Sequence, residues 1–287
     1  MSRPVRLPRL ARLLASVASL GFVALSAAGC STTGTTLAEV LSASGMGGDR
    51  TGAVTAAAPA AQARSEAEWR REAELYGSRY RADPSDAANA IAYARALTAT
   101  EQRAQAASVL EQASLRNPKN QALLGAFGRA LADTGRYEQA LDVLGRAHSP
   151  DRPDWRILSA QGTVLDQLGR HKQAQTYYTT ALKIAPNEPS VLSNLGLSYA
   201  LDKNLAEAEA TLRRAAEHPG ADPRVRQNLA LVVGLQGRFA DAEQIAKADL
   251  PPTEAAANVT YLREMLADKG DWKRMGRQPQ IAARGKS

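Results

Sequence analysis

Cysteine is almost absent from this chain. Cys30 is the only one in 287 residues, so no internal disulfide can form and no cysteine nucleophile is available. Histidine is nearly as scarce, and His148, His171 and His218 share no metal-ligand spacing, which excludes a zinc site built on them. Aromatic residues make up 5%, too few for a base-stacking surface. No Gly-x-Ser-x-Gly elbow occurs, and Gly285-Lys286-Ser287 lacks the upstream glycine loop of a phosphate-binding motif. Carboxylates scatter over outward positions without an acid–base pair. These absences predict no catalytic residue, no metal and no cofactor; the chain reads as a non-enzyme.

Acid is missing from the start. Residues 1–29 hold Arg3, Arg6, Arg9 and Arg12 and no Asp or Glu. The whole chain has 36 Lys+Arg against 29 Asp+Glu, net +7, and setting those four arginines aside leaves an ordinary +3. A nucleic-acid partner is therefore not expected.

What the chain has is a period. Pro189–Gly220 reads PSVLSNLGLSYALDKNLAEAEATLRRAAEHPG, with Pro189 as place 1 of a grid. Leu192, Leu195 and Tyr199 at places 4, 7 and 11 share one face of a first helix, and Ala208, Leu212 and Ala215 at places 20, 24 and 27 share one face of a second. The grid recurs every 34 residues, with place 1 at Ala87, Gln121, Trp155, Pro189 and Pro223. Place 20 is always Ala (Ala106, Ala140, Ala174, Ala208, Ala242), and place 8 is always small (Ala94, Gly128, Gly162, Gly196, Ala230). Two helices that cross closely need such places. Gly135, Gly169 and Gly237 stand at place 15, where a helix end favours a left-handed residue. Pro118 and Pro186 at place 32 close second helices.

This pattern resembles the tetratricopeptide repeat (TPR) over residues 87 to about 250, although Leu124, Leu158 and Leu192 stand where that family often has Trp. The resemblance implies an all-α, right-handed superhelical solenoid of about five repeats plus capping helices at both ends.

Both ends fit capping roles. Ser65-Glu66-Ala67-Glu68 predicts a capping box opening a helix over 65–86 with Trp69, Ala73, Tyr76 and Tyr80 on one face. That helix sits in the slot of a second helix, with Glu72 at the alanine place. Pro251-Pro252 ends the five repeats of 87–250, and 251–276 is expected to form capping helices. With Ala256 as place 1, Val259, Leu262 and Leu266 take places 4, 7 and 11, Gly270 the turn and Trp272 place 17. Residues 277–287 read as a basic, disordered tail.

Before the solenoid, Met1–Arg12 is basic and Leu13–Ala28 apolar or small, a run short of the roughly 20 residues a membrane span needs. Residues 1–29 thus read as a secretory signal. Leu25-Ser26-Ala27-Ala28-Gly29-Cys30 resembles a bacterial lipobox, with Ala27 where Leu is usual. The resemblance implies lipidation of Cys30, and Ser31 after it implies outer-membrane sorting. Several acyl chains give stable anchoring. Residues 30–64, rich in Ala, Gly, Ser and Thr, read as a flexible tether with a mean reach of roughly 30–35 Å.

The TPR resemblance also implies a concave face lined by first helices through places 2, 5, 6, 9 and 12. Arg95, Arg129, Arg156, Asn194, Arg224 and Asn228 fall there and are the candidate peptide-binding residues; Asp166 shares the set. An Asn amide can pair with an extended backbone through donor and acceptor, and arginines can meet carboxylates. The expected partner is an extended, acidic protein segment.

Two runs, RQNLALVVGLQGRFADAE from Arg226 to Glu243 and DLPPTEAAANVTYLR from Asp249 to Arg263, resemble the TadD family, TPR lipoproteins of the tight-adherence (Flp/Tad) pilus apparatus. That likeness implies a periplasm-facing scaffold, lipid-anchored in a bacterial outer membrane, that helps assemble the secretin through which Flp (type IVc) pili pass. The alternative is a TPR lipoprotein serving outer-membrane protein insertion or a peptidoglycan enzyme.

Overall fold

The computed structural model describes residues 64–275, with side chains described through residue 267. The signal segment, Cys30 and nearly all of the tether lie outside the described residues. Twelve helices and no strand occur among the described residues. Helix α1 (Glu66–Ala82) precedes five pairs: α2 (Ala87–Ala99) with α3 (Arg103–Arg116), α4 (Gln121–Asp133) with α5 (Tyr137–Arg146), and α6 (Trp155–Gln167) with α7 (His171–Ile184). Then follow α8 (Pro189–Leu201) with α9 (Leu205–Ala216), α10 (Pro223–Leu235) with α11 (Phe239–Ala246), and finally α12 (Pro252–Met275). Each helix packs on the next, and successive first helices touch one another. The fold is an all-α TPR solenoid.

Local chemistry sets the helix starts. Ser65 accepts from the Glu68 amide at 3.3 Å while the Glu68 carboxylate accepts from the Ser65 amide at 2.6 Å, a complete capping box. Asp86, Asn120, Asp154 and Asp222 cap α2, α4, α6 and α10 with their side chains. At α8 the cap residue Glu188 makes no such bond, and Pro189 supplies the preset first residue instead.

The small places exist because side chains from the paired helix fill them. A methyl group built on Gly128, Gly162 or Gly196 would lie 2.5–2.6 Å from Leu144, Tyr178 or Leu212, which all occupy place 24. Ala106, Ala140, Ala174, Ala208 and Ala242 are all fully buried. Close approach of the backbones lets Leu212 and Tyr178 bury almost completely, each contributing on the order of 1.5–3 kcal/mol of apolar transfer.

Place 15 is left-handed in all five repeats. Gly135, Gly169 and Gly237 have φ of +77°, +73° and +84°, and Glu101 and Lys203 adopt +62° and +66° at the same place. A side chain costs about 1–2 kcal/mol in that region, partly offset by the greater freedom glycine gives the unfolded chain. Glu101→Gly and Lys203→Gly are therefore expected to stabilise the protein by about 0.5–1 kcal/mol each. Denaturant titration of the single variants reads this, and lower stability in both contradicts it.

The C-terminal cap departs from the sequence reading in two ways. One helix, α12, runs unbroken through Gly270 to Met275, where capping helices separated by a turn are expected. Glycine inside a helix costs only about 1 kcal/mol, and Pro252 starts the helix from its first residue. The register also differs. Places 3 and 10 are buried in repeats two to five (Leu123 and Ala130, Ile157 and Val164, Val191 and Ser198, Val225 and Val232). On α12 the matching buried residues are Ala255 and Leu262, with Val259 between them. Place 1 is therefore Thr253, three residues before Ala256. Leu262 fills the space over Gly234, where a methyl would meet it at 2.5 Å.

Candidate peptide-binding groove

The six candidate residues all stand on first helices, but the structure gives them different occupations. Arg95 on α2 faces the N-terminal cap: its guanidinium lies 3.8 Å from Glu72 and 5.6 Å from the Trp69 ring centroid. Arg64 joins the same cluster, 2.6 Å from Glu72 and 5.0 Å from the Trp69 ring. Arg95 thus ties α1 to the first repeat, and it is not a free groove cation. Arg156 lies 4.3 Å over its neighbour Trp155. Arg224 donates to Asp222, its own helix cap, at 3.2 Å.

Arg129 is the exception. It folds back along α4 so that its Nη1 lies 3.7 Å from where a Gly125 methyl would stand. Among the described residues no carboxylate comes within ion-pair distance of it. Its side chain reaches solvent, yet crowding by the surrounding protein lowers its pKa, against the opposing fields of Asp154 and Asp133. A guanidinium stays charged under such a shift, so Arg129 remains an exposed cation within the fields of Asp154 and Asp133.

Asn194 and Asn228 form a ladder. Asn194 Nδ2 donates to Ser159 Oγ at 3.4 Å, and Asn228 Nδ2 donates to Ser193 Oγ at 3.1 Å. Each place-6 amide reaches the place-5 serine of the preceding repeat. One N–H of each amide is used between repeats, while the carbonyl oxygen and the second N–H have no protein partner among the described residues.

Asp166 is not in the groove. Its carboxylate is 8% exposed and accepts from Ser198 at 2.8 Å and from the Tyr178 hydroxyl at 3.0 Å, with His171 Nδ1 at 2.9 Å. Burial raises its pKa, and the hydrogen bonds from His171, Ser198 and Tyr178 offset part of that rise. Place 12 lies inside the stack, as Ala200 and Gly234 confirm by their burial. His171 is accordingly a half-buried partner of Asp166 and Ser198 is fully buried. Ser198 donates to the aspartate and not to the imidazole, so Ser, His and Asp here do not form a nucleophile relay.

Sequence reading passes over one further pair. Places 4 and 27 hold Ala90 and Ala113, Leu124 and Ala147, Leu158 and Ala181, and Leu192 and Ala215 in the first four repeats. In the fifth they hold Arg226 and Asp249, joined by two charge-assisted hydrogen bonds, the Nε bond at 2.6 Å. The side chains are 32% and 11% exposed, so this fork replaces an apolar core contact. Opposite charges at two otherwise apolar places are the visible signal. Arg226→Leu alone is expected to cost about 1–3 kcal/mol by stranding Asp249. Adding Asp249→Ala restores an apolar pair and recovers most of that loss. Thermal melts of the four-member cycle decide it; additive losses contradict the pairing.

Two tetratricopeptide-repeat family profiles match the chain, one over residues 97–162 and the other over residues 159–224. No curated protein sequence matches it. Among solved structures, PilW, a widely conserved type IV pilus biogenesis factor, superposes with a TM-score of 0.59 at 15% identity over 68% of this chain and 91% of its own. The Cut9–Hcn1 hetero-tetramer of the APC/C gives 0.58 at 16% identity, covering 71% of this chain and 40% of that one. Pseudomonas aeruginosa pilF gives 0.51 at 19% identity over 68% of this chain and 96% of its own. At these identities the likeness is one of fold. Residues 97–224 thus carry tetratricopeptide repeats, in agreement with the fold.

Proposed function

We propose that this chain is a lipid-anchored outer-membrane scaffold of a Flp/Tad pilus apparatus, supporting assembly of its secretin from the periplasmic side. The observation that carries the reading is the pair of TadD-like runs, Arg226–Glu243 and Asp249–Arg263. Their first residues, Arg226 and Asp249, are the two halves of the fork that departs from the repeat pattern. Generic TPR places do not require that fork, so it marks a trait of these runs beyond the shared repeat. Cys30 supplies the anchor, residues 31–63 the reach, and the groove from Arg129 through Asn194 and Asn228 the docking surface.

Co-isolation from cross-linked envelope tests this. The intact chain should bring down the secretin. A Cys30→Ser variant should leave the membrane fraction and lose that yield. Recovery of only outer-membrane insertion proteins or peptidoglycan enzymes overturns the pilus reading.

A further inference from the structure

The loops that lead from each second helix to the next first helix follow one another along an edge of the solenoid. They hold places 29–33, and neighbouring loops abut. Asn117 Nδ2 donates to the Ser85 carbonyl one loop away at 2.8 Å, and Arg214 on α9 reaches Asn187 in the preceding loop at 3.3 Å. Three consecutive loops, residues 115–119, 149–153 and 183–187, share a chemistry that the others lack. Each exposes an apolar side chain near its start: Leu115 at 71%, then Pro150, then Ile184 at 40%. Each also carries cations, Arg116 with Lys119, then Arg152, then Lys183, against the single carboxylate of Asp151.

These cations are available. All four are exposed. Arg116 donates to the Gln112 carbonyl of its own helix at 2.9 Å, and none of the four has an ion-pair partner among the described residues. Of the carboxylates just beyond, Asp154 and Glu188 at place 34 accept from the Arg156 amide and the Ser190 hydroxyl. The pattern stops on both sides. Residues 81–85 balance Arg81 with Asp83, and residues 217–221 hold Glu217 and no Lys or Arg.

The spacing selects the partner. Leu115 and Ile184 stand two repeats apart, roughly 20 Å where packed helices lie about 10 Å from each other. Two open clefts lie at the other ends of these helices, in the turns around Gly169 and Gly237, so neither serves this edge. A protein partner would be met by a contiguous apolar core inside a polar rim. Here the apolar side chains stand singly among cations. A fluid lipid surface matches that arrangement, because each apolar side chain enters between headgroups by itself while the cations meet phosphates. Pro118, Pro153 and Pro186 stiffen the three loops, so little order is lost on docking.

We propose that this edge docks on an anionic phospholipid bilayer, with Leu115, Pro150 and Ile184 entering the headgroup layer and Arg116, Lys119, Arg152 and Lys183 on lipid phosphates. The inference goes beyond the scaffold reading by orienting the solenoid: second-helix ends toward the lipid, the turns at places 15–19 away from it. It rests on that reading only for the acyl anchor at Cys30, to which a basic patch adds the second signal that stable attachment needs.

The test uses the full-length chain with Cys30→Ser and mixed phosphatidylethanolamine–phosphatidylglycerol vesicles carrying a nitroxide-headgroup lipid. A bimane label is attached through Leu115→Cys, Ile184→Cys or Gln173→Cys in turn. Gln173 is exposed on the same helix as Ile184, about 16 Å toward its other end and beyond a Debye length of about 8–10 Å. Residues 1–29 are common to every variant, so differences between labels report the solenoid. The Leu115 and Ile184 labels should be quenched at least about threefold more than the Gln173 label. Replacing phosphatidylglycerol by phosphatidylcholine should abolish the difference, as should reversing all four cations to Glu. Circular dichroism checks that this variant keeps its helix content, and the lipid exchange needs no variant. Equal quenching at the three positions, or a difference indifferent to lipid charge, overturns the proposal. Photocrosslinking of Leu115 to the secretin overturns it too, making the edge a protein interface. Secretin co-isolation with equal quenching removes this inference alone. Selective quenching without the secretin leaves it standing and removes the pilus reading.

Discussion

Gly162→Val should unfold the middle of the solenoid. A methyl at this position would stand 2.6, 2.8 and 2.9 Å from three atoms of the Tyr178 ring, inside contact distance. The ring cannot retreat, because Tyr178 is 1% exposed and its hydroxyl is held by Asp166 and Thr163. Overpacking of a rigid core costs about 1–3 kcal/mol and more where neighbours are locked; the two further methyls of valine put this variant at ~3 kcal/mol or above. In a solenoid the loss is local first, since each repeat is held by its neighbours. The unfolding transition should therefore broaden or split as well as shift. Gly145→Ala is the control: its nearest neighbour is the Gln161 amide at 3.9 Å, and the position lies within α5. There the gain in helix propensity should stabilise by about 0.5–1 kcal/mol. Equal behaviour of the two variants contradicts the close-crossing account of place 8.

Asp166→Ala should be the next most damaging single change, at about 2–4 kcal/mol near neutral pH. The fully buried Ser198 hydroxyl loses its 2.8 Å acceptor and keeps only the His171 carbonyl at 3.5 Å, and Tyr178 keeps only Thr163 at 3.3 Å. A buried hydroxyl without a partner costs about 1–3 kcal/mol. Asp166→Asn keeps an acceptor for Ser198 and should cost much less. Acid separates the contributions. Burial raises the folded pKa of Asp166 above its ordinary 3.8. For such a group the stabilising contribution is fully present below the unfolded pKa and fades as pH rises through the folded one. The penalty for the charged aspartate is thus relieved as pH falls.

Glu209 does the reverse. Burial pushes its pKa up, but hydrogen bonds from Arg213, Gln236 and Arg238 outweigh that and hold it below the ordinary 4.5. Its contribution is present above the unfolded pKa and is lost as pH falls through the folded one. Glu209→Gln should flatten the decline in stability below about pH 4.5, while Asp166→Asn should steepen it. Urea midpoints from pH 7 to pH 3 read both slopes, and identical slopes contradict the assignment.

The repeat was legible in the sequence because a solenoid imposes the same demand on every copy. Two backbones cross at places 8 and 20, and nothing larger than alanine fits in any of five copies. The faces were harder. Asp166 stands at a place the family resemblance puts in the groove, but superhelical packing buries place 12, and only the neighbours Tyr178, His171 and Ser198 reveal it. The cap register slipped because Val259, Leu262 and Leu266 keep one helical face when the grid moves by three residues. Contact of Leu262 with Gly234 fixes it. Arg226 and Asp249 are separated by most of a repeat, so their pairing follows from the crossing of α10 with the end of α11 and not from local pattern.

The site was legible as a row of positions and not as a working surface. Periodicity places Arg95 and Arg129 at equivalent sites, yet one is spent on Glu72 and Trp69 and the other is not. That difference depends on α1, which belongs to no complete repeat. Likewise Asn194 and Asn228 hold their neighbours through Ser159 and Ser193 while keeping an oxygen for a partner. The two amides brace one repeat against the next.

Site-specific photocrosslinking in whole cells tests the scaffold account most directly. A photoreactive residue placed at Arg129, Asn194 or Asn228 reports on the first-helix row, and one at Leu115, 71% exposed on a second helix, reports on the second-helix side. The account predicts crosslinks to the secretin from the first-helix positions and none from Leu115. Crosslinks to it from Leu115 alone would contradict the account.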